Sequence, residues 1–215
     1  MPERELVITR VAFLELKDEQ RLVQEGYELL DEKRILLAAE IHRQLLLLRR
    51  LRAAWRVAEN AAREALVAAL DCHGLDELSV YPPRPLSRDR LSLTRRRLLG
   101  LELLAARLEV APEQLAAAPV NPSPEARNCG RAHLQWLGIA AEFAACCVNL
   151  RRLAREYVRT ERRARAIENI LLPEIAAALK LVDEQLESLD QEEIARLRHR
   201  RSADPGGRLV GSAAG

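Results

Sequence analysis

The chain has 215 residues, a length that allows one domain or two. Hydrophobic residues make up 48% of it, yet aromatic residues are only 3% and charged residues 31%, which argues against an ordinary globular core and favours long helices or a coiled coil. The net charge of +2 gives no general attraction to nucleic acid or to a membrane surface.

The first predicted element is a long N-terminal helix over residues 1–73. From Glu3 to His73 the chain has no proline and a single glycine, Gly26. At about 1.5 Å per residue such a helix is roughly 100 Å long, and a helix of that length needs a coiled-coil partner. Four consecutive leucines, Leu45 to Leu48, cover nearly its whole circumference. Either the middle of the chain folds back over them or another protein does, and the second reading is favoured.

Residues 74–130 are expected to form a middle region of short elements. Gly74 opens it, and Tyr81-Pro-Pro-Arg-Pro excludes helix. Leu91-Ser-Leu-Thr and Leu101-Glu-Leu, on either side of Gly100, are compatible with two short strands about a turn. The segment from Leu98 to Leu108 fits a helix equally well.

A second long helix is predicted over residues 131–201, followed by a disordered tail over 202–215. Its apolar positions step by three and four, except that 171, 175 and 179 are spaced by four, and Pro173 predicts a bend there. Two long helices around a broken middle predict an all-α antiparallel two-helix coiled coil with a possible β-hairpin. A parallel dimer is the alternative.

The seam between the two helices is assigned to apolar positions at helical spacing. In the first helix the candidates are Val11, Leu14, Leu22 and Leu29. In the second they are Ile167, Leu171, Ile175, Leu179, Val182, Leu186 and Leu189.

Enzymatic chemistry has no candidate residues in this sequence. Phosphate-binding loops, dinucleotide fingerprints, HExxH and GxSxG motifs are missing, so no catalytic, cofactor-binding or metal site is expected. Cys72, His73, Cys129 and His133 match no standard zinc spacing, and the cysteines are interpreted as free thiols in a reducing cytoplasm. Arginine clusters could grip the phosphates of nucleic acid, but interspersed acidic residues favour a solvated or protein-contacting face. A coiled-coil scaffold or nucleic-acid binder remains the alternative function.

Both ends of the chain resemble the D subunit of the V/A-type rotary ATPases. At the N-terminal end the resemblance rests on Thr9-Arg10 and on Gly26-Tyr-Glu-Leu-Leu-Asp-Glu-Lys-Arg34. At the C-terminal end it rests on Glu156-Tyr, Thr160-Glu-Arg-Arg163, Leu172-Pro173 and Glu192-Glu-Ile-Ala-Arg-Leu197. These elements cover roughly half of the chain, and Leu99-Gly100-Leu101 lies where the family has a hairpin turn.

The resemblance implies a central rotor shaft with no active site and no cofactor. Its partners would be the catalytic A and regulatory B subunits of the ring, the F subunit, and the socket subunit of the C/d type on the proteolipid ring. It would be cytoplasmic, would meet the membrane only through partners and would bind no nucleic acid. Candidate contacts with the catalytic ring are Arg10, Lys33, Arg34, Arg162, Arg163 and Arg196.

Overall fold

The computed structural model describes residues 9–82, 90–109, 119 and 121–203, with side chains as far as residue 200. Helix α1 runs over Arg10–Ser79, and strands β1 and β2 over Leu91–Leu98 and Leu101–Leu108. Helix α2 covers Pro124–Ala166, a π-helical turn covers Ile167–Leu171, and α3 covers Leu172–Ala203. The chain divides into two units, one made of Met1–Glu32 with Glu161–Gly215, the other of Lys33–Thr160.

In the first unit, the N-terminal part of α1 and the C-terminal helices bury one narrow stripe each. Helix α1 begins with Thr9 as its cap, whose Oγ1 accepts the N–H of Ala12 at 3.1 Å. At this same end of the unit, the adjacent Arg10 pairs with Asp190, late in α3, at 3.0 Å, so the two helices run antiparallel. Val182 is fully buried and Ile175 is nearly so.

The buried stripe of α1 differs from the predicted seam. Its half-buried positions step by three and four, as a heptad pattern requires. They are Phe13, Leu16, Gln20, Val23, Tyr27 and Leu30. The predicted positions form an outer stripe that is 60–70% exposed, made of Val11, Leu14, Leu22 and Leu29. The prediction was wrong there because this segment carries apolar residues on two stripes, and spacing alone cannot tell which one the partner helix covers.

The π turn corrects the predicted seam on the C-terminal side. The N–H of Leu172 bonds to the carbonyl of Ile167, five residues back. With one extra residue in the turn, Leu172 takes the inward position while Leu171 is exposed. The turn lies just before Pro173. In an ordinary α-helix the ring of this proline would clash with the carbonyl group four residues back. The bend expected at Pro173 stays a prediction.

Beyond the π turn, the inward positions resume steps of three and four. Leu179 and Leu186 are half-buried on this stripe, as is Ile167 at the start of the turn. Leu189 is 50% exposed. The next residue, Asp190, pairs with Arg10 in the first turn of α1, so α1 ends at this level and does not cover Leu189. The inclusion of Leu189 in the seam therefore needs the same correction as Leu171.

In the second unit, α1 and α2 run antiparallel, as a series of cross-helix contacts shows. Cys146 Sγ donates to the carbonyl of Gln44 at 3.4 Å. Further along, the rings of Trp55 and Trp136 meet edge to face with centroids 5.3 Å apart. At the far end, His73 Nε2 lies 2.5 Å from Ser123 Oγ.

The start of α2 lies earlier than the predicted residue 131. Ser123 caps the helix by accepting the N–H of Ala126 at 3.0 Å, and Pro124 occupies the first helical position, where proline is favoured. The sequence interpretation treated this proline only as a helix breaker.

At the end of α1, Gly74 has φ 69° and ψ 173°, so the helix is interrupted where the first segment was expected to end. The tail over residues 204–215 lies outside the described part of the chain.

The middle of the second unit is a β-hairpin, so the alternative of a helix over Leu98–Leu108 was wrong. Its strands pair antiparallel, from Leu91 with Leu108 to Leu98 with Leu101. The two-residue turn uses positive φ at both positions, 50° at Leu99 and 83° at Gly100, as a type I′ turn requires. The predicted fold class is confirmed: long N- and C-terminal helices with a small hairpin between them.

Candidate interaction site

The tip of the hairpin packs on both long helices of the second unit. Leu103 of β2 is buried in a cluster with Leu37 of α1 and Leu153 of α2. Leu98, Leu99 and Leu101, around the turn, pack against the same cluster. Leucine is strained at the positive φ of residue 99, and its apolar contact offsets that strain. The hairpin is therefore a fixed part of this unit.

Helix α2 holds the outer edge of β2 through two polar side chains. The amide of Asn149 accepts the N–H of Leu104 at 2.8 Å and donates to its carbonyl at 2.7 Å. Arg152 donates to the carbonyl of Glu102 at 2.7 Å. Asn149 is buried, and its amide offers the donor and the acceptor that a neighbouring strand residue would offer. These two residues satisfy backbone groups that a sheet edge would leave open.

Helix α1 holds β1 through a buried carboxylate. Glu40 is 8% exposed and accepts from Arg43, Gln44 and Arg96, the last at 3.1 Å from Nη2 to Oε1. Burial alone would raise the pKa of Glu40. Hydrogen bonds from Arg43 and Gln44 and the charges of Arg43 and Arg96 outweigh burial, so its pKa lies below the ordinary value.

The sequence interpretation missed this polar network. Its helical members lie within leucine-rich stretches and Arg96 lies within a run of three arginines on β1, so no spacing marks them as one network. The one available signal is Asn149 itself, an amide at the end of the weakly polar run from Leu137 to Leu150. An uncharged polar residue there needs a buried partner.

The predicted catalytic-ring contacts are distributed over both units. In the first, Arg10 pairs with Asp190 and Arg196 with Glu192, while Arg162 and Arg163 are exposed. In the second, Lys33 forms a half-buried pair with Glu156 at 2.5 Å, and Arg34 is half-buried. Neither unit therefore contains all six side chains. Their role in binding a catalytic ring stays a prediction.

The four residues considered for zinc do not converge on one point. His73 contacts Ser123 and Glu77, Cys129 lies 3.6 Å from His133, and Cys72 donates to Glu125. Burial raises the pKa of the Cys129 thiol, which keeps it protonated. Within the described ranges, no group of three or more His, Cys, Asp or Glu side chains is arranged to hold a metal ion.

By its fold the chain is a helical protein in which long antiparallel helices carry a docked β-hairpin. The sequence profile of the ATP synthase D-subunit family matches residues 12–202, and the chain belongs to this family. It is a subunit of a V/A-type ATP synthase. None of the described helices is long and apolar enough to cross a membrane.

Curated relatives match over nearly the full length of both chains. The V-type ATP synthase D subunit of Anaeromyxobacter dehalogenans strain 2CP-1 is 28% identical over 200 residues, covering 92% of this chain and 96% of the relative. The A-type ATP synthase D subunit of Thermococcus sibiricus is 28% identical, with 88% and 90% covered. The V-type ATP synthase D subunit of Thermus thermophilus is 26% identical, with 93% and 92% covered.

Proposed function

We propose that this chain is the central rotor shaft of its ATP synthase. It would transmit torque between the ring of A and B subunits and the ion-translocating ring in the membrane, without catalysing a reaction itself. The observation that carries the proposal is the division of the chain. The described residues before 33 and after 160 form one unit, which is helical, and the hairpin belongs to the other. Each unit therefore offers a separate surface to a different set of partners.

The first unit has the surface expected of a segment held inside a catalytic ring. Its outer stripe, defined above, leaves four apolar side chains exposed, and the same unit also exposes charged residues such as Arg162 and Arg163. Scattered apolar contacts can bind a ring. The charges between them prevent a continuous apolar interface, which would fix the shaft at one rotational angle. Because the stripe lies on one side of the helix, each site around the ring would meet a different face. Shaft angle would then change nucleotide affinity, which is a coupling free energy.

The second unit has the surface expected for the remaining partners. Leu45, Leu46 and Leu47 are each about two-fifths exposed on α1, so the docked hairpin leaves them accessible to another chain. We assign this unit to contacts with the F subunit and with the socket subunit on the proteolipid ring. The complex would then place the chain in the cytoplasm, peripheral to the membrane.

Rotation of the chain tests the proposal directly. A bead would be attached through Arg52→Cys, at an exposed position on α1, after the exposed Cys72 and Cys147 are changed to serine. In the immobilised complex we expect the bead to rotate when ATP is added and to stop without it. A bead on the A subunit is the control and should stay still. A complex that hydrolyses ATP while the bead on this chain does not turn would refute the shaft role.

A further inference from the structure

The two edges of the β-hairpin have different surroundings. On β2, the outward backbone groups of Leu104 and the carbonyl of Glu102 are bonded by Asn149 and Arg152. On β1, the register places Arg95 opposite Leu104. In an antiparallel pair, residues opposite each other point their backbone groups both inward or both outward. The outward groups of β1 therefore belong to Leu91, Leu93, Arg95 and Arg97.

This edge of β1 is open in the part of the chain that the structure describes. No described residue hydrogen-bonds to the outward N–H and C=O groups of these four residues. Four residues at alternate positions present eight backbone groups, which is the pattern that an added strand would pair with. Natural proteins usually blunt such an edge with charge, proline or a bulge. Here half of it is leucine.

The side chains along the edge indicate what kind of strand would fit. Leu91 and Leu93 are 40% and 55% exposed at one end. Arg95 and Arg97 follow, with exposures of 68% and 86%. Both guanidinium groups share the one carboxylate of Glu102, at 3.6 and 4.0 Å, which leaves a surplus of positive charge. All four side chains point to the same face of the sheet.

We propose that the edge of β1 accepts an extended segment of a partner protein as a third strand of this sheet. The segment carries apolar side chains opposite Leu91 and Leu93 and acidic side chains opposite Arg95 and Arg97. Backbone pairing gives the affinity, and the alternating side chains select the partner. The inference concerns a mode of binding and does not require that the chain rotates.

Amide hydrogen exchange tests this proposal at single-residue resolution. The full chain alone would be compared with the same chain in its ATP synthase complex, purified through a tag on this chain. We expect the amides of Leu93, Arg95 and Arg97 to exchange at least about tenfold more slowly in the complex. The amide of Leu104 should be protected in both, because Asn149 already bonds it. Equal exchange of the β1 edge in the two samples would overturn the proposal.

A matched pair of variants separates backbone pairing from side-chain contact. Leu93→Pro removes one outward N–H and leaves the inner ladder of the hairpin intact, whereas Leu93→Ala shortens the side chain and keeps the donor. In complexes of the Pro variant, protection at Arg95 and Arg97 should fall, and in the Ala variant it should stay. Unchanged protection with proline at this position would contradict strand pairing. Protection at Leu104 reports whether the hairpin remains folded.

Charge reversal provides a second test that does not depend on proline. Arg97→Glu should weaken protection of the edge, whereas Arg107→Glu, which changes the hairpin charge equally but lies on β2, should not. Equal effects of the two changes would contradict the acidic partner.

Hydrogen exchange of the isolated chain at several concentrations tests whether the third strand comes from a second copy of this chain. If edge protection rises with concentration, the third strand comes from a second copy, and the assignment to a different protein is wrong.

Discussion

At the scale of single residues, Glu40 joins a helix to a strand. Its carboxylate is 8% exposed and meets Arg43 and Gln44 of its own helix and Arg96 of β1. Such a group is costly to bury and stabilises the fold only while its donors surround it. The lowered pKa is the signature of that surrounding, because the donors favour the charged form over the neutral one.

Stability should therefore depend on pH through Glu40. A pKa lowered in the folded state gives a contribution that is present above the unfolded pKa, about 4.3, and is lost as pH falls through the folded value. Glu40→Gln should reduce the free energy of unfolding at pH 7 by about 1–3 kcal/mol, because two guanidinium groups lose their charged partner. It should also flatten the fall in stability below about pH 5.

Denaturant unfolding at several pH values measures both effects. The matched control is Glu64→Gln, which changes the same side chain at an exposed position of α1. It should alter stability by less than about 0.5 kcal/mol. If the two variants have the same pH profile, Glu40 does not hold the hairpin through its charge.

At the scale of elements, the π turn sets the phase of the C-terminal helix. The inward position at its first residue, Ile167, is followed by the next at Leu172, a step of five. Removing one residue from the turn would change that step to four, which an α-helix accommodates. A residue added at the same place would rotate everything beyond it by about 100° and turn Val182 away from α1.

A deletion should consequently be tolerated where an insertion is not. We would delete Ile170, which is exposed, and change Pro173 to alanine so that an α-helical turn can form. We expect this chain to keep its helical circular dichroism and to unfold within about 1 kcal/mol of the parent. One alanine inserted after Ile170 in the same Pro173→Ala background should lose several times that amount, since buried apolar side chains become exposed. Equal loss from both changes would contradict the role of the π turn in setting phase.

The elements also mark how far the sequence could predict the structure. Proline-poor stretches and heptad spacing were enough to predict the two long helices, and Gly100 was enough to suggest the hairpin turn. The buried face of α1 could not be read, because Leu29 and Leu30 are equally apolar neighbours and only the partner helix selects between them. The π turn was visible as irregular spacing around Pro173, but a four-residue step and a five-residue step look alike until burial is known.

The polar contacts that hold the hairpin could not be predicted from the sequence, for a different reason. Asn149 and Arg152 bond to backbone groups of Leu104 and Glu102, and backbone groups are the same at every residue. No pairing of residue types therefore reveals these contacts. The family resemblance located the hairpin turn and was silent on what holds the strands.

At the scale of the whole molecule, the chain must satisfy two demands with one helix. Part of α1 packs within the chain, and part is exposed; the proposed shaft role assigns the exposed part to contacts with other subunits. In the first unit these parts are adjacent residues: Leu22 is 70% exposed on the outer stripe, and Val23 is half-buried on the inward one. A change at either position therefore tests a different surface of the same helix.

Leu22→Asp and Val23→Asp should affect different properties: the first the recovery of the chain in the complex, the second the stability of the isolated chain. Leu22→Asp should leave the isolated chain within about 0.5 kcal/mol of the parent and should reduce its recovery in the complete ATP synthase. Val23→Asp should destabilise the isolated chain by a few kcal/mol, because a carboxylate would lie against α3 without a partner. Denaturant unfolding and quantitative pull-down measure the two outcomes. Full recovery of Leu22→Asp in the complex would show that the outer stripe binds no other subunit.

The pairing of Arg10 with Asp190 also has a consequence for biosynthesis. The two residues are separated by 180 positions in the chain. At a synthesis rate of about 5–20 residues per second, the start of α1 leaves the ribosome roughly 10–40 s before its partner segment. During that interval a long helix with apolar residues on two stripes has nothing of its own chain to cover them. The N-terminal part of α1 can therefore pair within its own chain only after Asp190 has been synthesised, and until then both of its apolar stripes are open to contact with other proteins.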